Sequence, residues 1–259
     1  MSEKNSEGKR TARERVAAER ERQRARDKRR RALIVGAAVV GVLGLAAVVG
    51  LLAAGSGDDK SDTSGPVSVP KGATGKDSLT IPLGKESATS TLTIWEDFRC
   101  PACKGFEDSY RSTIHELADQ GRLKVEYHLA TLIDGNMGGS GSLRAANAAG
   151  CAQDAGKFTE YHDVLFKNQP AEPDDAFGKN DKLIELAGEV DGLATDTFKK
   201  CVNDGKHDKW VAKSHQAFQD AKLQGTPTVQ LNGKSIFGDQ SNPLTPAKLR
   251  QMVLDADKS

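Results

Sequence analysis

The 259-residue sequence predicts an α/β domain with a helical insertion, preceded by a single transmembrane helix. Three observations carry that expectation. A β-rich apolar run, Leu92-Thr93-Ile94-Trp95, passes directly into a helical pattern opened by Cys100-Pro101-Ala102-Cys103, and an alternating strand pattern follows at residues 123–129. Beyond residue 141 the hydrophobic period stays helical until Asn232-Gly233 marks a hairpin between two strand patterns. Residues 32–54, finally, hold no charge at all.

Residues 1–31 carry 13 Lys/Arg against 6 Asp/Glu and no stretch able to build a core. Because the whole chain is +1, the near-neutral total hides a tail of +7 and a remainder of −6. No aromatic residue interleaves the basic run, so it reads as a cytoplasmic tail and not as a nucleic-acid-binding arm. The next 23 residues, 32–54, are Ala, Val, Leu, Ile and Gly, long enough to cross a hydrocarbon layer about 30 Å thick. Arg29-Arg30-Arg31 abut this segment, and the basic flank stays inside, so a single-pass anchor in the cell membrane is expected with everything after it extracytoplasmic. A cleaved signal peptide is the rival, but its apolar region usually runs only about 7–15 residues. No Cys follows closely enough to accept a lipid. Residues 55–77 are rich in Ser, Gly, Asp, Lys and Pro and read as a flexible linker, leaving 78–259 as one domain large enough for its own core.

Within the domain, residues 78–83 read as an edge strand and 91–95 as a central one. Cys100 falls at a helix N-cap and Pro101 at the first helical position, where the missing N–H is harmless. Phe106, Tyr110, Ile114 and Leu117 share one face of that helix, and Gly121 offers a left-handed stop. Leu123, Val125, Tyr127 and Leu129 alternate with polar residues, giving β-α-β, hence parallel neighbours with a right-handed crossover. The glycines from 135 to 141 lack a phosphate-binding spacing and read as a mobile loop. Helical patterns follow at 143–153, around Phe158 to Phe166, Leu183 to Val190 and Phe198 to Val202, and at 208–223, so the insert spans about 142–207. Strand patterns return at 226–231 and 234–237, and Thr245-Pro246 opens a last helix with Leu249, Met252, Val253 and Ala256 on one face.

Two thiols at a helix N-terminus share the positive end of its dipole, which lowers a cysteine pKa from about 8.5 into the range of about 3.5–7.5. Cys100, at the helix end, is expected to attack or be attacked, and Cys103, one turn deeper, to resolve the mixed disulfide. A bridge that never turns over has no need of this placement. A zinc site is not expected either: Cys151 and Cys201 stand 50 positions apart, and no His sits three to five residues from another. The chemistry calls for no metal and no cofactor. Cys151 and Cys201 fall on insert helices, and outside the cytoplasm two such thiols do not stay reduced, so a structural disulfide is expected, worth up to ~4 kcal/mol. A second redox relay there is disfavoured by the long spacing. Around the dithiol, Glu96 and Asp97 would oppose a thiolate while Arg99 and Lys104 would favour one. His115, His128, His162, His207 and His215 are scattered and given no role, and Trp95 and Trp210 read as core or rim.

Without its first strand and middle helices the order is β-α-β-α-β-β-α. With Cys100-Pro101-Ala102-Cys103 after a strand, a helical insert, and Gly225-Thr226-Pro227-Thr228 opening the hairpin, residues 78–258 resemble the DsbA-like thiol:disulfide oxidoreductases, a thioredoxin-like fold with an inserted helical subdomain. The resemblance implies that Pro227 is cis beside the cysteines and that Thr226 meets an extended substrate chain through its backbone. It implies oxidation of dithiols in exported proteins and reoxidation by a quinone-linked membrane partner. Ala102 stands where strong oxidants of that family often have His. A reductase or isomerase, as in cytochrome c assembly, and a non-catalytic binding module of the same fold are the alternatives.

Overall fold

The computed structural model describes residues 66–256; the basic tail, the apolar segment 32–54 and the first part of the linker lie outside them. Among the described residues no helix is long and apolar enough to cross a membrane.

Alternation decides the centre of the domain. The strands are β1 (Ile81–Leu83), β2 (Ser90–Glu96), β3 (Leu123–Leu129), β4 (Thr228–Leu231) and β5 (Lys234–Ser235), in spatial order β1-β3-β2-β4-β5. β2 and β3 run parallel, with Leu92 opposite Val125 and Ile94 opposite Tyr127. β1 pairs antiparallel with β3, and β4 antiparallel with β2 and with β5. Ser90, Leu92, Ile94 and Glu96 on β2, and Leu123, Val125, Tyr127 and Leu129 on β3, are all buried, as a period of two requires when one face meets the core.

Helix α1 (Pro101–Asp119) joins β2 to β3 and packs on β3. Its start is as the sequence implies, with Cys100 extended at the N-cap (φ −76°, ψ 118°) and Pro101 following. Its end is set by Gly121 at φ 72°, where Arg122 N donates to Leu117 O at 3.0 Å. The insert consists of α2 (Leu132–Met137), α3 (Gly141–Asp154), α4 (Phe158–Lys167), α5 (Asn180–Ala187) and α6 (Asp196–Asn203). Small residues let α3 sit at its centre: Ala145, Ala146, Ala148 and Ala149 are fully buried, and a Cβ on Gly150 would stand 3.0 Å from the His207 ring. Helix α7 (Asp208–Asp220) returns to β3, and α8 (Pro246–Ala256) lies against α1. On the sheet face toward α7, Trp95 stacks on His128 at 4.0 Å and Phe218 closes over them at 5.9 Å.

Two stretches differ from the sequence reading. Residues 66–77 were expected to continue the flexible linker, yet Lys71 N donates to Asp154 Oδ1 (2.8 Å), Gln153 Nε2 to Lys71 O (2.9 Å) and His207 Nδ1 to Ser68 O (2.7 Å). Backbone hydrogen bonds to side chains more than 80 residues away in sequence hold this segment, and composition does not report them. The glycine loop at 135–141 was expected to be mobile. Its first part is α2, and its second is bound by carboxylates: Asp175 accepts from Ser140 N and Gly141 N, and Asp134 from Ser142 N and Leu143 N, each at 2.9–3.0 Å. The N-terminus of α3 is therefore capped from outside its own sequence.

Candidate active site

Cys100 and Cys103 lie at the C-terminal end of β2 where α1 begins, as free thiols, with Cys100 6% exposed and Cys103 fully buried. Pro101 and Ala102 between them are exposed, so the site opens to solvent over the helix start. Facing it is the Thr226–Pro227 peptide, which is cis and places Thr226 O 3.2 Å from Cys100 Sγ. The two halves of the site come from loops 126 residues apart. Thr228 Oγ1 donates to Gly225 O (2.7 Å) and braces the facing loop.

The two thiols are driven apart in acidity. Cys100 is lowered to about 6, chiefly by the hydrogen bond from Cys103, with the Thr226 side chain and the amides of Cys103 and Ala102 adding to it against burial. Cys103 is pushed well above its ordinary value, first by burial and then by the Cys100 thiolate, with Glu96 adding repulsion. Thr226 Oγ1 has no other partner among the described residues, so it is placed to donate to the thiolate once the Cys100 proton has left.

The charged neighbours act differently from the sequence reading. Arg99 does not address the thiolate: it is buried and spent on the insert, with Nη1 2.7 Å from Asp134 Oδ1 and 3.1 Å from Asp175 Oδ1, and donating to Gly138 O at 2.8 Å. Those are the carboxylates that cap α3, so the residue next to Cys100 ties the redox helix to the insert. Gln169, from beyond α4, donates to Phe98 O (2.9 Å) and Cys100 O (3.0 Å) and makes a second tie. Lys104 pairs with Asp108 in solvent (2.9 Å). Asp97 accepts from Arg99 N (2.8 Å) and Ile133 N (2.9 Å), and burial still lifts its carboxyl to about 6.

Beneath the dithiol lies a group that the sequence reading passed over. Glu96, Glu107 and His162 are each at most 1% exposed, and one donor atom from each lies within 4.8 Å of the others. His162 Nε2 is 2.8 Å from Glu96 Oε1, and Phe98, Tyr127, Phe158 and Phe166 surround the ring. Burial opposes a charged ring, yet Glu96, Asp163 and Glu107 raise the His162 pKa to about 10. The signal was legible: Glu96 continues the buried alternation Leu92, Ile94, while Glu107 and His162 occupy the apolar faces of α1 and α4.

Cys151 and Cys201 are joined in a disulfide between α3 and α6, with Cα atoms 5.9 Å apart, so neither thiol is available to the metal-like grouping they form with His207. His207 is fully buried, with Nε2 2.9 Å from Asp154 Oδ2, and Trp210, also fully buried, donates from Nε1 to Ser78 O (2.8 Å).

Comparison with known proteins places this arrangement. A family model described as Thioredoxin matches residues 76–255. The chain is 27% identical over 157 residues to disulfide bond formation protein D of Bacillus subtilis (strain 168), covering 60% of this chain and 68% of that protein. Among solved structures it resembles reduced DsbA from Mycobacterium tuberculosis, at 27% identity with a TM-score of 0.59 over 70% of this chain and 93% of that one. It also resembles the reduced disulfide bond oxidoreductase DsbG of the same organism, at 28% identity with a TM-score of 0.59 over 70% and 88%.

Proposed function

The chain belongs to the thioredoxin family and is a thiol:disulfide oxidoreductase, and from that premise we propose that it works as an extracytoplasmic oxidant of dithiols in exported proteins. One observation carries the direction: Cys100 is lowered to about 6 while Cys103, three residues on, is raised. A thiolate stabilised in the reduced protein makes the Cys100–Cys103 disulfide easier to reduce, and so a better oxidant.

The cycle follows from the placement of the two sulfurs. A substrate thiolate attacks Cys100 Sγ, the more accessible sulfur of the Cys100–Cys103 disulfide, and Cys103 leaves as thiolate, taking up a proton because its buried position disfavours the charge. The substrate is then held to Cys100 as a mixed disulfide, with its backbone against Thr226 and the cis Pro227. A second substrate thiolate attacks the substrate sulfur of that bond and expels Cys100, whose low pKa makes it a good leaving group. The substrate has lost two electrons and the protein has gained them as two thiols.

The apolar segment 32–54, with Arg29-Arg30-Arg31 before it, supports a single-pass membrane anchor with the tail inside and residues 66–256 outside. A domain held there is within reach of a membrane-embedded, quinone-linked partner that would restore the disulfide. The structural Cys151–Cys201 bridge is consistent with an oxidising compartment. The deciding measurement is the equilibrium reduction potential against glutathione. A value well above that of thioredoxin, about −270 mV, is expected, and a value at or below it overturns the oxidant in favour of a reductase.

A further inference from the structure

The three carboxylate oxygens under the redox helix need an explanation. Glu96 Oε2, Glu107 Oε1 and Glu107 Oε2 are buried and have no hydrogen-bond partner among the described residues. An orphaned buried polar group costs about 1–3 kcal/mol, more when charged, so three in one place is not a resting arrangement of an ordinary core. Arg111 lies beside them with its own Nε and Nη2 buried and unpartnered, but its Nε stands 3.8 Å from Glu107 Oε2, beyond hydrogen-bond reach, and 3.2 Å from Asp163 Oδ1. We infer that Glu96, Glu107 and His162 bind one divalent transition-metal ion, zinc in kind, in a closed structural site beneath Cys103.

The donor set fits. With His162 Nε2 the three oxygens make four donor atoms, the number a closed zinc site takes, if Glu107 binds through both oxygens. An imidazole among them selects against calcium and magnesium, which take oxygen alone. His162 also has the support a metal-bound imidazole needs, since its other nitrogen, Nδ1, is 3.4 Å from Asp163 Oδ1, a carboxylate that fixes the ring and its tautomer. The rival is an imidazolium held between Glu96 and Asp163 beside a Glu107 carboxyl that burial pushes up to about 8. It closes the charge without an ion but gives Glu96 Oε2 and the Glu107 oxygens no hydrogen-bond partner. The ligands come from β2, α1 and α4, so the ion would pin the insert to the helix that carries the cysteines.

Because the site is buried, the ion must enter during folding, and the test uses the full chain in detergent. Cys100→Ser and Cys103→Ser are combined first, so that the dithiol cannot hold zinc. This protein is unfolded in denaturant and chelator, then refolded with and without zinc chloride, and metal content is measured by plasma mass spectrometry. About one zinc per chain and a higher Tm in the zinc-refolded sample are expected. In Glu107→Gln, refolded the same way, bound zinc should fall at least tenfold; where that variant does not fold, His162→Gln serves, with folding checked by circular dichroism. Refolding to the same Tm without zinc uptake overturns the site, and so does full zinc occupancy in a folded Glu107→Gln or His162→Gln. Neither result touches the thiol chemistry, which these cysteine variants lack by design.

Discussion

The molecule holds two pairs of cysteines, and they differ in the property that decides whether a disulfide turns over. Cys100 and Cys103 sit three residues apart at a helix start, with a thiolate-stabilising environment and a cis proline loop across from Cys100. Cys151 and Cys201 sit 50 residues apart on two packed helices, 2% and 8% exposed, with no helix N-terminus to stabilise a thiolate. The first pair gains from being reduced because a charge is then favourably placed. The second gains only from being joined, because its loop limits the unfolded chain. Sulfur chemistry is the same in both; local electrostatics and the loop that faces Cys100 separate them.

The sharpest test of this contrast removes one sulfur from the first pair. Cys100→Ser should bring oxidation of a reduced peptide down to the uncatalysed background, while at pH 7 the reduced protein loses only the roughly 1 kcal/mol that its thiolate supplies. The paired change Cys151→Ala and Cys201→Ala should do the reverse. It should lower stability by up to ~4 kcal/mol in denaturant titration while the folded fraction keeps its exchange rate. Loss of exchange in that variant would mean that the insert bridge takes part in turnover.

Between the pairs stands Arg99. Arg99→Leu leaves Asp134 and Asp175 beside each other at the start of α3 and should cost about 3 kcal/mol, read in the same titration. A cost near zero would show that the two parts of the domain are not held together there.

Acidity supplies the finer tests. The Cys100 pKa is depressed in the folded reduced protein, so its stabilisation is present above the unfolded value and lost as pH falls through about 6. The reduced form should therefore gain stability over the oxidised form, on the order of 2 kcal/mol after screening, between about pH 6 and 9. Alkylation of Cys100 should show a midpoint near pH 6. Thr226→Val, which removes the hydroxyl placed to donate to the thiolate, should raise that midpoint by about one unit, and an unmoved midpoint would assign the acidity to α1 alone.

Much of this was readable beforehand because its causes are local. Leu92 to Trp95, the alternation from Leu123 to Leu129, Pro101 after Cys100, and Asn232-Gly233 are short-range patterns, and the elements found there start within two residues of the expectation. The docked segment at 66–77 and the bound loop after Met137 were not readable in this way. Of their partners, His207, Asp154 and Asp175 are remote in sequence and Asp134 lies eight residues before Ser142, and polar composition looks the same whether water or a carboxylate of the fold receives the hydrogen bonds. Arg99 was assigned to the thiolate by proximity in sequence, although its guanidinium reaches the other way.

By itself, then, the sequence determined a dithiol at a helix start, the α/β order around it and the long helical insert, because helix caps and hydrophobic periods act over a few residues. Only the tertiary structure decided which groups face the sulfurs. Thr226 arrives from 126 residues away to meet Cys100, and Glu96, Glu107 and His162 converge from a strand and two helices into one buried space. Burial and distance between remote residues set the difference between Cys100 and Cys103, and neither quantity exists until the chain has folded.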